Sequence, residues 1–313
     1  MLHPQARALM DLFAERGFAP VYTLSPDEAR RAYLERRFIT QPPPQEVAQV
    51  QALRADGPAG PIPLRLYRPR GAAAAATLPV LIYIHGGGWV VGDLDSHDVL
   101  CRELANRSAC TVVSVDYRRA PDHPFPAAVD DCLAATYWVH RHAAELQVDP
   151  ARLAVGGDSA GGNLSAAIAV LARNAGDLPI VFQLLIYPAT DMRCVAPSHT
   201  TNGQGYMLTR ESIAYYRGHY TPNPASWLDP RASPLLTEDL SRLPPAFVLT
   251  AGYDPLRDEG LEYAERLSAA GTRSTQICFE RQIHGFITMG RVLDEANAAV
   301  AICAAQLSAA VAG

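Results

Sequence analysis

The chain has 313 residues, 49% of them hydrophobic, and a formal net charge of −5. That is enough length for a sizeable buried core, and no basic stretch offers a nucleic-acid surface. All 27 basic residues are arginine, and without a lysine amine Schiff-base and pyridoxal-phosphate enzymes, Walker-type phosphate sites and Ser-x-x-Lys acyl transferases are excluded.

In chain order, residues 1–45 carry helical patterns and stop at Pro42-Pro43-Pro44. Apolar runs follow at 79–84, 110–115, 153–155, 180–186, 246–250 and 275–279, rich in β-branched residues and bounded by Gly, Pro or polar turns. Such runs predict strands buried on both faces of a parallel sheet. Helical spacing appears between them: Val129, Cys132, Leu133, Thr136 and Tyr137 form one stripe, and Leu164, Ala167, Ile168 and Leu171 another. Residues 263–270 end at Gly271, a plausible C′ glycine, and 292–311 form an alanine-rich helix. Strands alternating with helices predict βαβ units.

Two stretches break the rhythm, 1–45 and 190–240. The second is rich in aromatic and polar residues and holds Pro197, Pro222, Pro224, Pro230 and Pro234. Both are expected to form a helical cap over a core made of residues 46–189 and 241–313. The alanine run at 72–76 reads as a short biased loop. Six cysteines lie scattered without a C-x-x-C pair, which predicts free thiols in a reducing compartment. The first 17 residues mix Arg, Asp and Glu among apolar residues, unlike a signal peptide, and no run reaches the ~18 apolar residues of a membrane span. A cytoplasmic protein without stable membrane insertion is expected.

Gly157-Asp158-Ser159-Ala160-Gly161 matches G-x-S-x-G, the sharp strand-to-helix turn that presents a nucleophilic serine. Alone the match is weak, since roughly one chain in ten of this length would hold it by chance. Its context is stronger: a strand pattern precedes Ser159, a helical pattern follows, and the Ala160 N–H lies at the helix start, free to face an anion. Upstream, His85-Gly86-Gly87-Gly88 follows a strand end, where consecutive glycines bring backbone N–H groups close to a substrate oxygen. Downstream, His284 stands on a loop past the last strand and Asp254 just past the strand before it. The order Ser159, Asp254, His284 is the hydrolase order; Asp258 and Asp191 are rival acids, Asp258 reading better as a first-turn helix residue.

These motifs together resemble the hormone-sensitive lipase family, family IV of the bacterial lipolytic enzymes. The resemblance extends through Asp116-Tyr117-Arg118-Arg119-Ala120-Pro121, Phe125-Pro126-Ala127-Ala128, Asp254-Pro255-Leu256-Arg257-Asp258-Glu259-Gly260 and His284-Gly285-Phe286, spanning about Leu64 to Phe286. Arg119 and Asp122 depart from it, since the family more often shows Leu and Glu there. The resemblance implies an α/β-hydrolase fold, with a mostly parallel eight-stranded sheet flanked by helices and a helical cap. It further implies hydrolysis of short- to medium-chain acyl esters by Ser159, His284 and Asp254, with Gly87, Gly88 and Ala160 as the oxyanion hole. No metal or cofactor is called for.

Trp89, Tyr187, Tyr206, Met207, Phe286 and Ile287 are candidate pocket walls, with ordinary core packing as the alternative for each. Aryl amides, carbamates and lactones use the same machinery and are not separated from esters here. A non-catalytic ligand receptor on this fold would lack the histidine that His284 supplies. The run at 275–279, as an edge strand, marks a possible homodimer contact.

Overall fold

The computed structural model describes residues 1–73 and 75–312, so Ala74 of the alanine-rich loop lies outside the described residues. Helix α1 (Pro4–Glu15) begins at His3, whose Nδ1 accepts from the Gln5 N–H, and buries Ala6, Leu9 and Phe13. Helix α2 (Pro26–Thr40) starts at a capping box: the Ser25 hydroxyl accepts from the Glu28 N–H while the Glu28 carboxylate accepts from Ser25 N–H. Then follow β1 (Gln49–Ala55), β2 (Ile62–Arg68), β3 (Leu78–Ile84), α3 (Asp98–Ser108), β4 (Thr111–Val115), α4 (Ala127–Arg141), β5 (Val148–Asp158), α5 (Ala160–Ala175) and β6 (Ile180–Ile186). After the short α6 (Ser198–Thr201) and α7 (Arg210–Tyr220), the chain closes with β7 (Ala246–Tyr253), α8 (Arg257–Ala269), β8 (Ser274–Ile283) and α9 (Asp294–Ala310).

The eight strands form one sheet in the order β1-β2-β4-β3-β5-β6-β7-β8. Strand β2 runs antiparallel to both β1 and β4, and the remaining neighbours pair parallel. The alternation of β3 explains the two cores. Val80, Ile82 and Ile84 face Val129 and Cys132 of α4 and Leu164 and Ile168 of α5. Leu81 and Tyr83 face Leu100 and Leu104 of α3 and Val300 of α9. Strands covered on both faces are apolar throughout, which is why they were readable as runs.

The antiparallel edge was not readable that way. Strand β1 is exposed along most of its length, so its sequence holds no apolar run. In β2 Ile62, Leu64 and Leu66 alternate inward beside the less buried Pro63 and Arg65, and only Leu66, Tyr67 and Arg68 at its end are buried next to one another. Helix α3 was likewise unread, because charged residues interrupt its buried Val99, Leu100, Cys101 and Leu104.

The 190–240 stretch divides. Tyr206, Met207, Ile213 and Tyr216 border the same cavity as residues 10–41. Leu235 and Leu240 instead pack with Val248 of β7 and Tyr263 of α8. All six cysteines are free thiols. Gly271, at φ +81°, stands one residue past the cap of α8. Among the described residues no helix is long and apolar enough to cross a membrane.

Candidate active site

Parallel strands deliver their following loops to one edge of the sheet. Ser159 follows β5, Asp254 follows β7, His284 follows β8 and the His85–Gly88 loop follows β3. Ser159 takes φ 55° and ψ −115°, a conformation costly for a non-glycine residue. Its neighbours make the turn feasible. A Cβ on Gly157 would sit 2.1 Å from the Ile84 carbonyl oxygen, and one on Gly161 only 1.8 Å from it. The glycines of the motif are therefore the price of seating α5 directly against β3.

The three candidate catalytic side chains meet. His284 Nε2 lies 2.9 Å from Ser159 Oγ, and its Nδ1 lies 2.6 Å from Asp254 Oδ2. Asp254 is fully buried, and its other oxygen accepts from the Leu256 N–H at 2.8 Å. Helix α6 braces the acid loop: Asn202 Nδ2 donates to the carbonyls of Gly252 and Asp254, and Ser198 Oγ donates to that of Pro255. The rival acids are engaged elsewhere, Asp258 with Arg257 at 2.7 Å and Asp191 with Arg193 at 2.8 Å.

The glycine loop bends beside the serine with Gly87 at φ +120° and Gly88 at φ +56°. The Val90 and Val91 N–H groups donate to the Gly87 carbonyl. The N–H groups of Gly87, Gly88 and Ala160 donate to no protein acceptor among the described residues.

A carboxylate ties this loop to the elbow. Asp158 Oδ1 accepts from the Tyr83 hydroxyl at 2.7 Å and the Gly86 N–H at 3.0 Å, and His97 Nε2 lies 3.2 Å away. Burial pushes the Asp158 carboxyl up, but His97, Tyr83 and Gly86 together hold it below the ordinary range. His85 is fully buried, stacks on Tyr117 with ring centroids 4.3 Å apart, and holds its Nδ1 2.8 Å from the Gly86 carbonyl. Burial, then the neighbouring His97, push the His85 imidazole down to about 3, so it is neutral. The departures from the family pattern act nearby: Arg119 donates to the Gly92 carbonyl, and Asp122 pairs with Arg30 of α2.

A cavity of about 400 Å³ opens onto Ser159 and His284. Of the six candidate walls, Trp89, Tyr206 and Met207 line it. Trp89 is held at φ 60° and stacks on Tyr220, centroids 4.4 Å apart. Tyr187, Phe286 and Ile287 do not line it. They are at most 2% exposed and belong to the core, where the Tyr187 ring packs against those of His284 and Phe286. Residues flanking a catalytic loop in sequence point into the core as often as into the pocket, and spacing does not tell which.

Sequence reasoning missed Tyr83, His97 and Asn202, whose roles exist only through contacts between distant elements. A further buried pair went unread: His199 Nε2 lies 2.6 Å from Glu259, which in turn accepts from the Thr190 and Asp191 N–H groups. One signal was present: an aspartate at the buried end of a strand requires hydrogen-bond donors.

A protein-family model described as alpha/beta hydrolase fold matches residues 81–288. LipN, a carboxylic ester hydrolase of Mycobacterium tuberculosis, is 46% identical over 268 residues, covering 83% of this chain and 70% of LipN. The carboxylesterase NlhH of the same organism is 42% identical over 306 residues, covering 94% of this chain and 92% of NlhH. LAE6, an α/β hydrolase enzyme from the metagenome of Lake Arreo in Spain, superposes with a TM-score of 0.96 at 45% identity, covering 100% of this chain and 99% of its own. With this fold and these relatives, the chain belongs to the α/β hydrolases and, among them, to the hormone-sensitive lipase family of carboxylesterases.

Proposed function

We propose that the chain hydrolyses short- to medium-chain acyl esters through an acyl-enzyme on Ser159. The observation that carries this is the Ser159–His284–Asp254 alignment at 2.9 and 2.6 Å. The buried Asp254 carboxylate accepts a hydrogen bond from Nδ1–H and so fixes the tautomer, which leaves the Nε2 lone pair to accept the serine proton as Oγ attacks the ester carbonyl. Asp254 then stabilises the imidazolium. The tetrahedral oxyanion receives the N–H groups of Gly87, Gly88 and Ala160, and loss of one such donor lowers turnover on the order of a hundredfold or more. His284 returns the proton to the departing alcohol, and water repeats the cycle to free the acid.

The cavity volume of about 400 Å³ supports a small acyl group rather than a long lipid chain. Residues 1–45 and 190–240 act as the cap in this reading, supported by their shared lining of the cavity through Phe13, Tyr33, Met207 and Tyr216. Pairing of two copies along β8, the last strand of the sheet, fits the same reading and is checked by sedimentation.

The test is hydrolysis of p-nitrophenyl butyrate together with labelling by a fluorophosphonate. Ser159→Ala is expected to abolish both while the melting temperature stays near that of the parent. Retained turnover in this variant would overturn the assignment, and a parent protein that neither labels nor hydrolyses would indicate a binding protein.

A further inference from the structure

Three carboxylates border the cavity, and each already has a cationic or imidazole partner. Asp158 is with His97, Asp191 with Arg193, and Glu259 with His199. The three arginines on the same walls have no such partner. Arg36, Arg37 and Arg217 form no ion pair among the described residues. Arg37 and Arg217 each give one N–H to a backbone carbonyl, of Asp95 and of Met192. Arg36 gives none to any protein acceptor among the described residues, and its Nε is buried without a partner.

Arg36 is also held in place. Its guanidinium lies over the rings of Phe13 and Phe18, 5.7 and 5.4 Å from their centroids. Tyr216 lines the same cavity, and its ring occupies the space a Gly88 side chain would need. Burial lowers the Arg36 pKa, the mark of a cation short of counter-charge, yet a guanidinium stays charged at neutral pH. A fixed, half-buried guanidinium with free donors matches the planar, bidentate geometry of a carboxylate. The carboxylates on these walls are held by their own partners, so the charges left to face the cavity are those of the arginines.

We propose that the cavity selects esters bearing a carboxylate on their acyl or alcohol part, with Arg36 as the principal contact and Arg37 and Arg217 adding to the field. The inference rests on the ester-hydrolase reading of Ser159 and narrows its substrate class.

Two pairs of esters test it: mono-p-nitrophenyl glutarate against p-nitrophenyl valerate for the acyl part, and the butyrate ester of m-hydroxybenzoate against phenyl butyrate for the alcohol part. In at least one pair the anionic member is expected to show a KM about tenfold lower at low salt, an advantage that shrinks as ionic strength rises. Arg36→Met is expected to lower the ratio of kcat/KM, anionic to neutral, by about ten- to a hundredfold, with the loss in KM. Arg36→Lys retains charge and much of the stem, and should keep part of that ratio. The wild-type salt response needs no variant, so an Arg36→Met chain that fails to fold leaves the test intact.

Neutral esters cleaved as well as anionic ones in both pairs, or a ratio unmoved by Arg36→Met, would overturn the inference and leave the guanidinium as packing over two rings. If no ester is cleaved, the hydrolase reading fails separately. Calorimetric titration with valerate then decides: no binding in the parent, or binding unmoved by Arg36→Met, counts against the inference, and binding weakened by Arg36→Met supports it.

Discussion

Asp158→Asn separates the charge of Asp158 from its shape. Asparagine keeps an oxygen where Oδ1 now takes the Tyr83 hydroxyl at 2.7 Å and the Gly86 N–H at 3.0 Å. What it loses is the anion facing His97 Nε2 at 3.2 Å. Each of these three charge-assisted bonds weakens to a neutral one, by about 1 kcal/mol apiece. The sum is about 3 kcal/mol. A chain of this size should lose roughly 2 °C in Tm per kcal/mol, so about 6 °C in all. Catalysis should suffer less than in Asp158→Ala, since Gly86 keeps an acceptor and the oxyanion loop keeps its anchor.

We expect Asp158→Asn to lower kcat about tenfold, below the ~100-fold effect of losing an oxyanion donor outright, with KM little changed. Asp158→Ala should lower kcat by about a hundredfold or more. Thermal melts and p-nitrophenyl butyrate kinetics on the two variants check this. A parent-like Tm and kcat in Asp158→Asn, or equal losses of kcat in both variants, would refute the role given to this carboxylate. Because its pKa is depressed in the fold, its stabilisation is present above the unfolded value near 4 and fades as the pH falls below it.

Two further outcomes follow from the site. Gly161→Ala places a Cβ 1.8 Å from the Ile84 carbonyl, so α5 or β3 must shift, and urea denaturation should show a loss of about 3 kcal/mol or more. His85 is neutral because burial pushes it down to about 3, against about 6.5 in the unfolded chain. The unfolded state therefore binds more protons between those values, and stability is full above about pH 6.5 and falls on acidification, by roughly 4–5 kcal/mol near pH 3. His85→Asn should flatten that slope in denaturation midpoints measured across pH, whereas parallel curves for parent and variant would exclude His85 as its source.

The parallel strands, the serine elbow and the order of the triad could be read from the chain because each is set by local chemistry. A strand buried on both faces must be apolar along its length, a sharp turn against β3 demands Gly157 and Gly161, and loops after parallel strands converge on one edge. Strand β1 stayed hidden since an exposed edge strand needs no apolar residues. Tertiary structure alone decided which side chains meet across the fold. It put Asp158 against His97, 61 residues away in sequence, and sent Tyr187, Phe286 and Ile287 into the core while Trp89, Tyr206 and Met207 face the cavity. It also left Arg36 without an ion-pair partner among the described residues, which no local pattern records. Pairing between distant residues depends on how helices pack over the sheet, and that packing is a property of the whole chain rather than of any segment.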